Sequence, residues 1–263
     1  MSVYCAADWH GCYWIWAAVK KILKPEDKLY FLGDAADRGP DGWRIIKEII
    51  NDNRITYLKG NHEDLMIKAI GKLKPENLNE NYFYWNSDME LWFWNGGKTT
   101  YHAIISDDNI TPEEKVEYLH RIATLPFCTV YHNVQNQNIL LSHAGCDNID
   151  TAEYWDEEKF LWDRTHFSFY DTWYGNEDEI IVHGHTPIEL MVEEQERNIK
   201  WLINKEMKEN IFSDNHIKIF DWDRNGAYWY GQGHKVNIDT GAIWNNFAVL
   251  INLDTWEEII IKK

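Results

Sequence analysis

Six short segments hold most of the residues in this chain whose types and spacing suit chemistry. They are Asp8-Trp9-His10-Gly11, Gly33-Asp34-Ala35-Ala36-Asp37-Arg38-Gly39, Gly60-Asn61-His62-Glu63, Ser142-His143-Ala144-Gly145, Leu161-Trp162-Asp163-Arg164 and His183-Gly184-His185-Thr186-Pro187. Together they supply carboxylate, amide and imidazole ligands, one further histidine and two arginines. That set can hold two divalent ions and a phosphate together. Each segment alone is a weak signal, but six of them within 263 residues reinforce one another.

Asp8 and His10, two residues apart at a strand end, are expected to reach one ion. Asp34, leaving the neighbouring strand, is placed to bridge two ions about 3.5–4 Å apart. Asn61, His143 and His185 would complete the second ion, and the neutral amide of Asn61 keeps the charge of the site low, so the pair stays electrophilic. A water bridging two such ions is acidified toward neutrality and supplies a nucleophile. His62 follows Asn61 and cannot easily share its ion. Asp37 is expected to hold one nitrogen of His62, which makes that imidazole a proton donor for a leaving alkoxide. Arg38 and Arg164 are the candidate phosphate clamps, because a guanidinium fork matches phosphate oxygens in pairs. His183 is a candidate contact to substrate or to the ligands.

The elements that must position these residues alternate along the first third of the chain. Ser2–Ala7, Lys28–Leu32 and Arg54–Leu58 read as strands, and Cys12–Leu23 and Asp41–Ile50 as helices with apolar residues at helical spacing. Such a βαβαβ order implies parallel strands and an α/β class. Each strand ends where a motif begins, and ligands of open α/β sheets bind at the carboxyl ends of strands. Thr111-Pro112-Glu113-Glu114 is a capping box with proline at the first helical position, opening a helix to about Thr124. Phe127–Val134 and Asn138–His143 read as a hairpin, and Glu179–Val182 as the strand delivering His185. Residues 188–235 read as an excursion from an otherwise single domain spanning 1–263. Its expected parts are a helix within Glu193–Phe212 and a hairpin of His216–Trp222 and Ala227–Tyr230 around Arg224-Asn225-Gly226. Both ends leave near the site, so the excursion is expected to influence substrate choice. Val236–Asp239, Phe247–Leu253 and Glu258–Ile261 are the last expected strands.

The chain carries 15 Trp, 14 Tyr and a formal charge of −17. Most of the aromatic residues are expected in packing, with a few beside a cleft able to stack on a substrate. The acidic balance argues against a nucleic-acid backbone as partner, which calls for a basic face. Ions and two arginines still attract phosphate locally. The four cysteines form no CxxC pair and read as small buried thiols. No stretch is long and apolar enough for a membrane span, and Met1–Ala7 lacks a signal-peptide pattern, so the expected location is cytoplasmic. The composition leaves the oligomeric state open.

The first three segments resemble the phosphoprotein phosphatase family of metallophosphoesterases. The later ones, with Asn95-Gly96-Gly97 and Ile238-Asp239-Thr240-Gly241-Ala242, are closest to its bacteriophage lambda and bacterial serine/threonine branch. Phage diadenosine-tetraphosphatase-like relatives share much of the pattern. The resemblance implies a calcineurin-like four-layer fold, a β-sandwich flanked by helices. It also implies two divalent ions (manganese first, with iron, zinc, nickel or magnesium as alternatives) and direct attack by a metal-bridging hydroxide. By the same resemblance Asp8, His10, Asp34, Asn61, His143 and His185 are ligands, His62 with Asp37 is the acid, and Arg38 and Arg164 hold phosphate. Ala7 stands where the family usually has glycine, a small change. Pro187 stands where wider relatives often carry another histidine, which favours the phosphatase branch over nuclease and cyclic-nucleotide branches.

Three functions are compared. The first is hydrolysis of phosphomonoesters, either phosphoserine and phosphothreonine in a protein or small phosphate esters. The second is hydrolysis of dinucleoside polyphosphates such as diadenosine tetraphosphate, or of other nucleotide phosphates. The third, an inactive binding protein, requires a missing ligand or acid, and none is missing.

Overall fold

The computed structural model describes residues 1–78, 86–147, 156–166, 173, 175–194 and 226–263. The βαβαβ start forms as expected: β1 (Val3–Ala6), α1 (Tyr13–Ile22), β2 (Lys28–Phe31), α2 (Gly42–Ile49) and β3 (Ile55–Tyr57). α3 (Asn61–Ile70), α4 (Ser87–Trp94), α5 (Lys98–Ile105) and α6 (Pro112–Ala123) follow. α6 opens on the expected box, with Thr111 Oγ1 accepting from Glu114 N at 3.2 Å and Glu114 Oε2 accepting from Thr111 N at 2.7 Å. Next come β4 (Cys128–His132), β5 (Asn138–Ser142), α7 (Glu157–Trp162) and β6 (Glu179–His183). The final elements are β7 (Tyr228–Tyr230), β8 (Lys235–Asn237), the short α8 (Ala242–Asn245), β9 (Phe247–Asn252) and β10 (Glu258–Lys262).

Two mixed five-stranded sheets result, in the orders β10-β9-β1-β2-β3 and β4-β5-β6-β8-β7. β1, β2 and β3 run parallel, as do β5, β6 and β8. The alternation of side chains along each strand builds the layers. Val3, Cys5, Ile139, Leu141, Ile180 and Val182 fill the space between the sheets. Leu29 and Phe31 face the helical layer with Ile15, Trp16, Ile45 and Ile46. Leu140 and Ile181 point the other way, onto Phe160 of α7. Strands covered on both faces are apolar throughout, which is why they read as short continuous runs. The result is the four-layer sandwich flanked by helices.

Beyond His185 the outcome is finer than the expectation. Helix begins at 188, directly after Pro187, and continues to 194. The rest of the stretch Glu193–Phe212 and the strand His216–Trp222 lie outside the described residues. The expected strand at Ala227–Tyr230 forms as β7, which pairs antiparallel with β8 in the second sheet. Cys5, Cys12 and Cys146 are buried, Cys128 is half-buried, and all four are free thiols. Among the described residues no helix is long and apolar enough to cross a membrane.

Candidate metal centre

The motif loops at the ends of the strands are stitched to one another by backbone hydrogen bonds. Asp8 N donates to Gly33 O (3.1 Å), His10 N to Asp34 O (2.9 Å), Gly39 N to His10 O (3.0 Å), and Gly184 N to His143 O (2.8 Å). This packing requires glycine. A Cβ on Gly60 would stand 2.2 Å from Asp34 Oδ1, and one on Gly184 1.9 Å from Asp8 Oδ2. The carboxylate of Glu63 ties the second and third loops together, accepting from Asp34 N (2.7 Å), Ala35 N (3.0 Å) and Gly60 N (2.9 Å). Asp8, His10, Asp34, Asp37, Arg38 and His185 all have φ between 40° and 69°. Non-glycine residues seldom occupy that left-handed region, and such strain gathers where a site over-determines the backbone.

Asp34 is the centre. Its Oδ2 lies 3.6 Å from His10 Nε2 and 3.5 Å from His143 Nε2, while its Oδ1 accepts the His62 N–H at 3.0 Å. Two triads of donor atoms, each within 4.8 Å, share it: His10, Asp34 and His62, and Asp8, Asp34 and His143. Asp8 also accepts the backbone N–H of His185 at 3.1–3.2 Å, and Asn61 Oδ1 lies 2.8 Å from His143 Nε2 and 3.0 Å from His185 Nδ1. All six expected ligands are therefore buried in one cluster.

The donor set fits divalent cations. His10 and His143 each point Nδ1 at a backbone carbonyl, Ala36 O (3.0 Å) and Leu32 O (2.9 Å). That contact fixes the Nδ1–H tautomer and turns the Nε2 lone pair inward, as a ligating imidazole requires. Burial foremost holds His10, His143 and His185 below the ordinary imidazole pKa. Burial, then the charges of Asp239 and Asp34, pushes Asp8 well above the usual carboxylate range. Burial, helped by Asp34 and opposed by Gly241 N–H and Arg38, pushes Asp239 up to about 7. Asp34 goes the other way: burial disfavours its charge, but His143, His62 and His10 outweigh it and keep the carboxylate ionised. Crowded buried carboxylates are relieved by cations, and His185 Nε2 is buried with no hydrogen-bond partner among the described residues.

The remaining expected residues surround this cluster. His62 Nδ1 lies 2.7 Å from Asp37 Oδ2, which also accepts Trp92 Nε1 at 2.8 Å. Arg38 donates from Nη1 to His10 Nε2 (2.7 Å) and from Nη2 to His62 Nε2 (3.1 Å). Arg164, exposed, is tethered through Nε to Thr186 Oγ1 at 3.2 Å, beside His185. His183 turns away from the cluster, with Nε2 2.7 Å from the buried Tyr230 hydroxyl. That hydroxyl also lies 2.9 Å from His166 Nδ1, and His166 Nε2 donates to Ala144 O at 2.6 Å. Tyr230 thus joins the chain segments bearing His143 and His185. Glu63, Asp239 and His166 carry no individual role in the sequence reading, and Tyr230 enters it only within the aromatic strand Ala227–Tyr230 of the excursion. Glu63 was within reach, as the third residue of a helix whose start also carries Asn61 and His62. His166 and Tyr230 lack any local motif.

A family model for calcineurin-like phosphoesterases matches residues 1–220. A symmetrical bis(5'-nucleosyl)-tetraphosphatase of Buchnera aphidicola subsp. Schizaphis graminum is 27% identical over 188 residues, 67% of this chain. The chain spans 58% of the length of that relative. A protein of the same name from Nitrosospira multiformis is 32% identical over 77 residues, 27% of this chain and 28% of its own. Among solved structures, one bearing the provisional name diadenosine tetraphosphatase superposes with a TM-score of 0.57 at 13% identity, covering 99% of this chain and 92% of its own. A metallophosphoesterase from Sphaerobacter thermophilus gives 0.50 at 13% identity, covering 100% and 87%. At those identities the two structures speak for the fold alone.

Proposed function

The chain belongs to the calcineurin-like phosphoesterase family, metal-dependent hydrolases of phosphate esters, and we propose that it hydrolyses dinucleoside polyphosphates of the diadenosine tetraphosphate type. The observation that carries the substrate class is the likeness to a symmetrical bis(5'-nucleosyl)-tetraphosphatase over 67% of the chain. It moves the reading away from the serine/threonine phosphatase branch that the motif resemblance favoured.

In this proposal Asp8, His10, Asp34, Asn61, His143 and His185 would hold two divalent ions, and Asp34 belongs to both donor triads. When bound, the ions supply Lewis acidity and an activated water. Arg38, bonded to His10 and His62, and Arg164, tethered to Thr186, grip phosphate oxygens. His62, oriented by Asp37, gives a proton to the departing oxygen. Burial of His62 disfavours its charge, but the Asp34 and Asp37 carboxylates outweigh that and raise its pKa above the ordinary imidazole value. We treat residues 1–263 as one domain with an excursion in the region 188–235.

The test is kcat/KM for diadenosine tetraphosphate, a phosphoserine peptide, p-nitrophenyl phosphate and bis-p-nitrophenyl phosphate with manganese present. The dinucleotide is expected to lead by at least tenfold. A lead for the phosphopeptide would return the protein to the phosphomonoesterase reading.

A further inference from the structure

Trp9, Trp16, Trp43 and Trp92 are at most 2% exposed, whereas Trp244 is 58% exposed. Its position is fixed by the backbone. α8 is entered through Gly241 and left through Asn246, both in the left-handed region (φ 62° and 58°). Gly241 N donates to Asp239 Oδ1 at 2.9 Å, Trp244 N to Gly241 O at 2.9 Å, and Asn245 Nδ2 to Thr240 O at 2.8 Å. The turn that presents the indole is therefore built directly on one of the buried carboxylates of the centre.

The indole also touches the phosphate machinery. The Arg38 guanidinium carbon lies 5.0 Å from the Trp244 ring, within cation–π range, while the same guanidinium bonds His10 and His62. One arginine thus separates an exposed aromatic surface from the donor triads. A phosphate held by Arg38 would lie beside this ring.

We propose that Trp244 is a nucleobase subsite, stacking the base of the nucleotide whose phosphates Arg38 binds. The inference rests on the dinucleoside polyphosphate reading and adds its missing element, since the cluster itself recognises only phosphate. Every base offers a π face, so an indole takes bases with little sequence preference, and a flat aromatic ring is what distinguishes a nucleotide from a base-free phosphate chain. A phosphoserine or phosphothreonine peptide brings no such ring beside its phosphate.

The experiment is calorimetric titration of the manganese-loaded protein with ADP and with methyl diphosphate, for the wild type, Trp244→Ala and Trp244→Phe. Thermal melting of each variant checks that it is folded. The wild type is expected to bind ADP about tenfold tighter than methyl diphosphate, with the gap erased in Trp244→Ala and largely restored in Trp244→Phe, as base–aromatic stacking requires. Equal affinities in the wild type, or the same proportional loss for both ligands in Trp244→Ala, would overturn the subsite; the latter would leave the ring as a support for Arg38. Turnover of diadenosine tetraphosphate separates the two claims. An erased gap without turnover keeps the subsite and removes the tetraphosphatase reading, whereas turnover with an unchanged gap does the reverse.

Discussion

Nδ1 of His62 lies 2.7 Å from Oδ2 of Asp37, and that oxygen also accepts the indole N–H of Trp92. Asp37 N is held in turn by Thr100 Oγ1 at 2.8 Å. The carboxylate that orients the imidazole is therefore held from α4 and the Asp37 backbone from α5, and Nε2 of His62, which lies 3.1 Å from Arg38 Nη2, faces the cluster, 3.8 Å from Asp34 Oδ2. A positioned acid of this kind contributes in proportion to the leaving group's need for a proton. His62→Asn is expected to keep both ions. Turnover should fall roughly 100-fold or more for alkyl and nucleotide leaving groups and far less for p-nitrophenolate. Equal losses across leaving groups, measured as a slope of log kcat against leaving-group pKa, would contradict the acid role.

Tyr230→Phe removes a hydroxyl that stands between His183 Nε2 and His166 Nδ1. The two buried imidazoles lose a partner, and the loops bearing His143 and His185 lose their cross-tie. Outer contacts of this sort are worth 10- to 100-fold in metal affinity by order of magnitude. The expected result is selective: the more weakly held ion loses about tenfold in affinity while the other, backed by the His10–Ala36 contact, changes little. Two unchanged dissociation constants in a competitive chelator titration would leave Tyr230 with a packing role.

Far from the site, Asp107 joins α2 to the end of α5. It accepts from Trp43 Nε1 at 2.9 Å and Asn109 N at 3.1 Å and pairs with Lys47. Burial raises its pKa, but Lys47, Trp43 and Asn109 outweigh burial and the folded-state value falls below the ordinary one. A depressed carboxyl contributes stability above its unfolded pKa of about 3.9, and that stability is lost as pH falls through the lower folded value. Asp107→Ala is expected to cost about 2 kcal/mol at pH 7, the scale of hydrogen bonds to a charged group, and less at pH 3. A destabilisation independent of pH between 7 and 3, by denaturant melts, would contradict this.

The ligand cluster was legible because it is local. Each of the first three motifs sits at the end of a strand whose apolar run is short and continuous, and parallel strands carry their ends to one edge. Asp34 could be expected to bridge because it leaves the strand beside the one that bears Asp8. What the sequence hid depends on contacts between distant segments. Tyr230 lies 47 residues beyond His183 and 64 beyond His166, so no spacing rule links them. Asp239 lies in the segment Ile238–Ala242, yet its raised pKa arises from burial and the charge of Asp34, which no local spacing reveals. Trp244 is one of 15 tryptophans, and only the fold shows that, among the described residues, it combines exposure with a contact to Arg38. A helical segment at 188–194 follows directly on Thr186-Pro187, and the rest of the expected helix lies outside the described residues.

The claim on which the rest depends is that two ions share the Asp34 carboxylate. Manganese titration followed by electron paramagnetic resonance measures this without reference to turnover. Two Mn²⁺ ions about 3.5–4 Å apart across a common carboxylate are exchange-coupled. The account predicts two manganese ions per chain with a coupled signal, and loss of the coupling in Asp34→Asn. A single ion per chain, or two ions with uncoupled signals in the wild type, would contradict it.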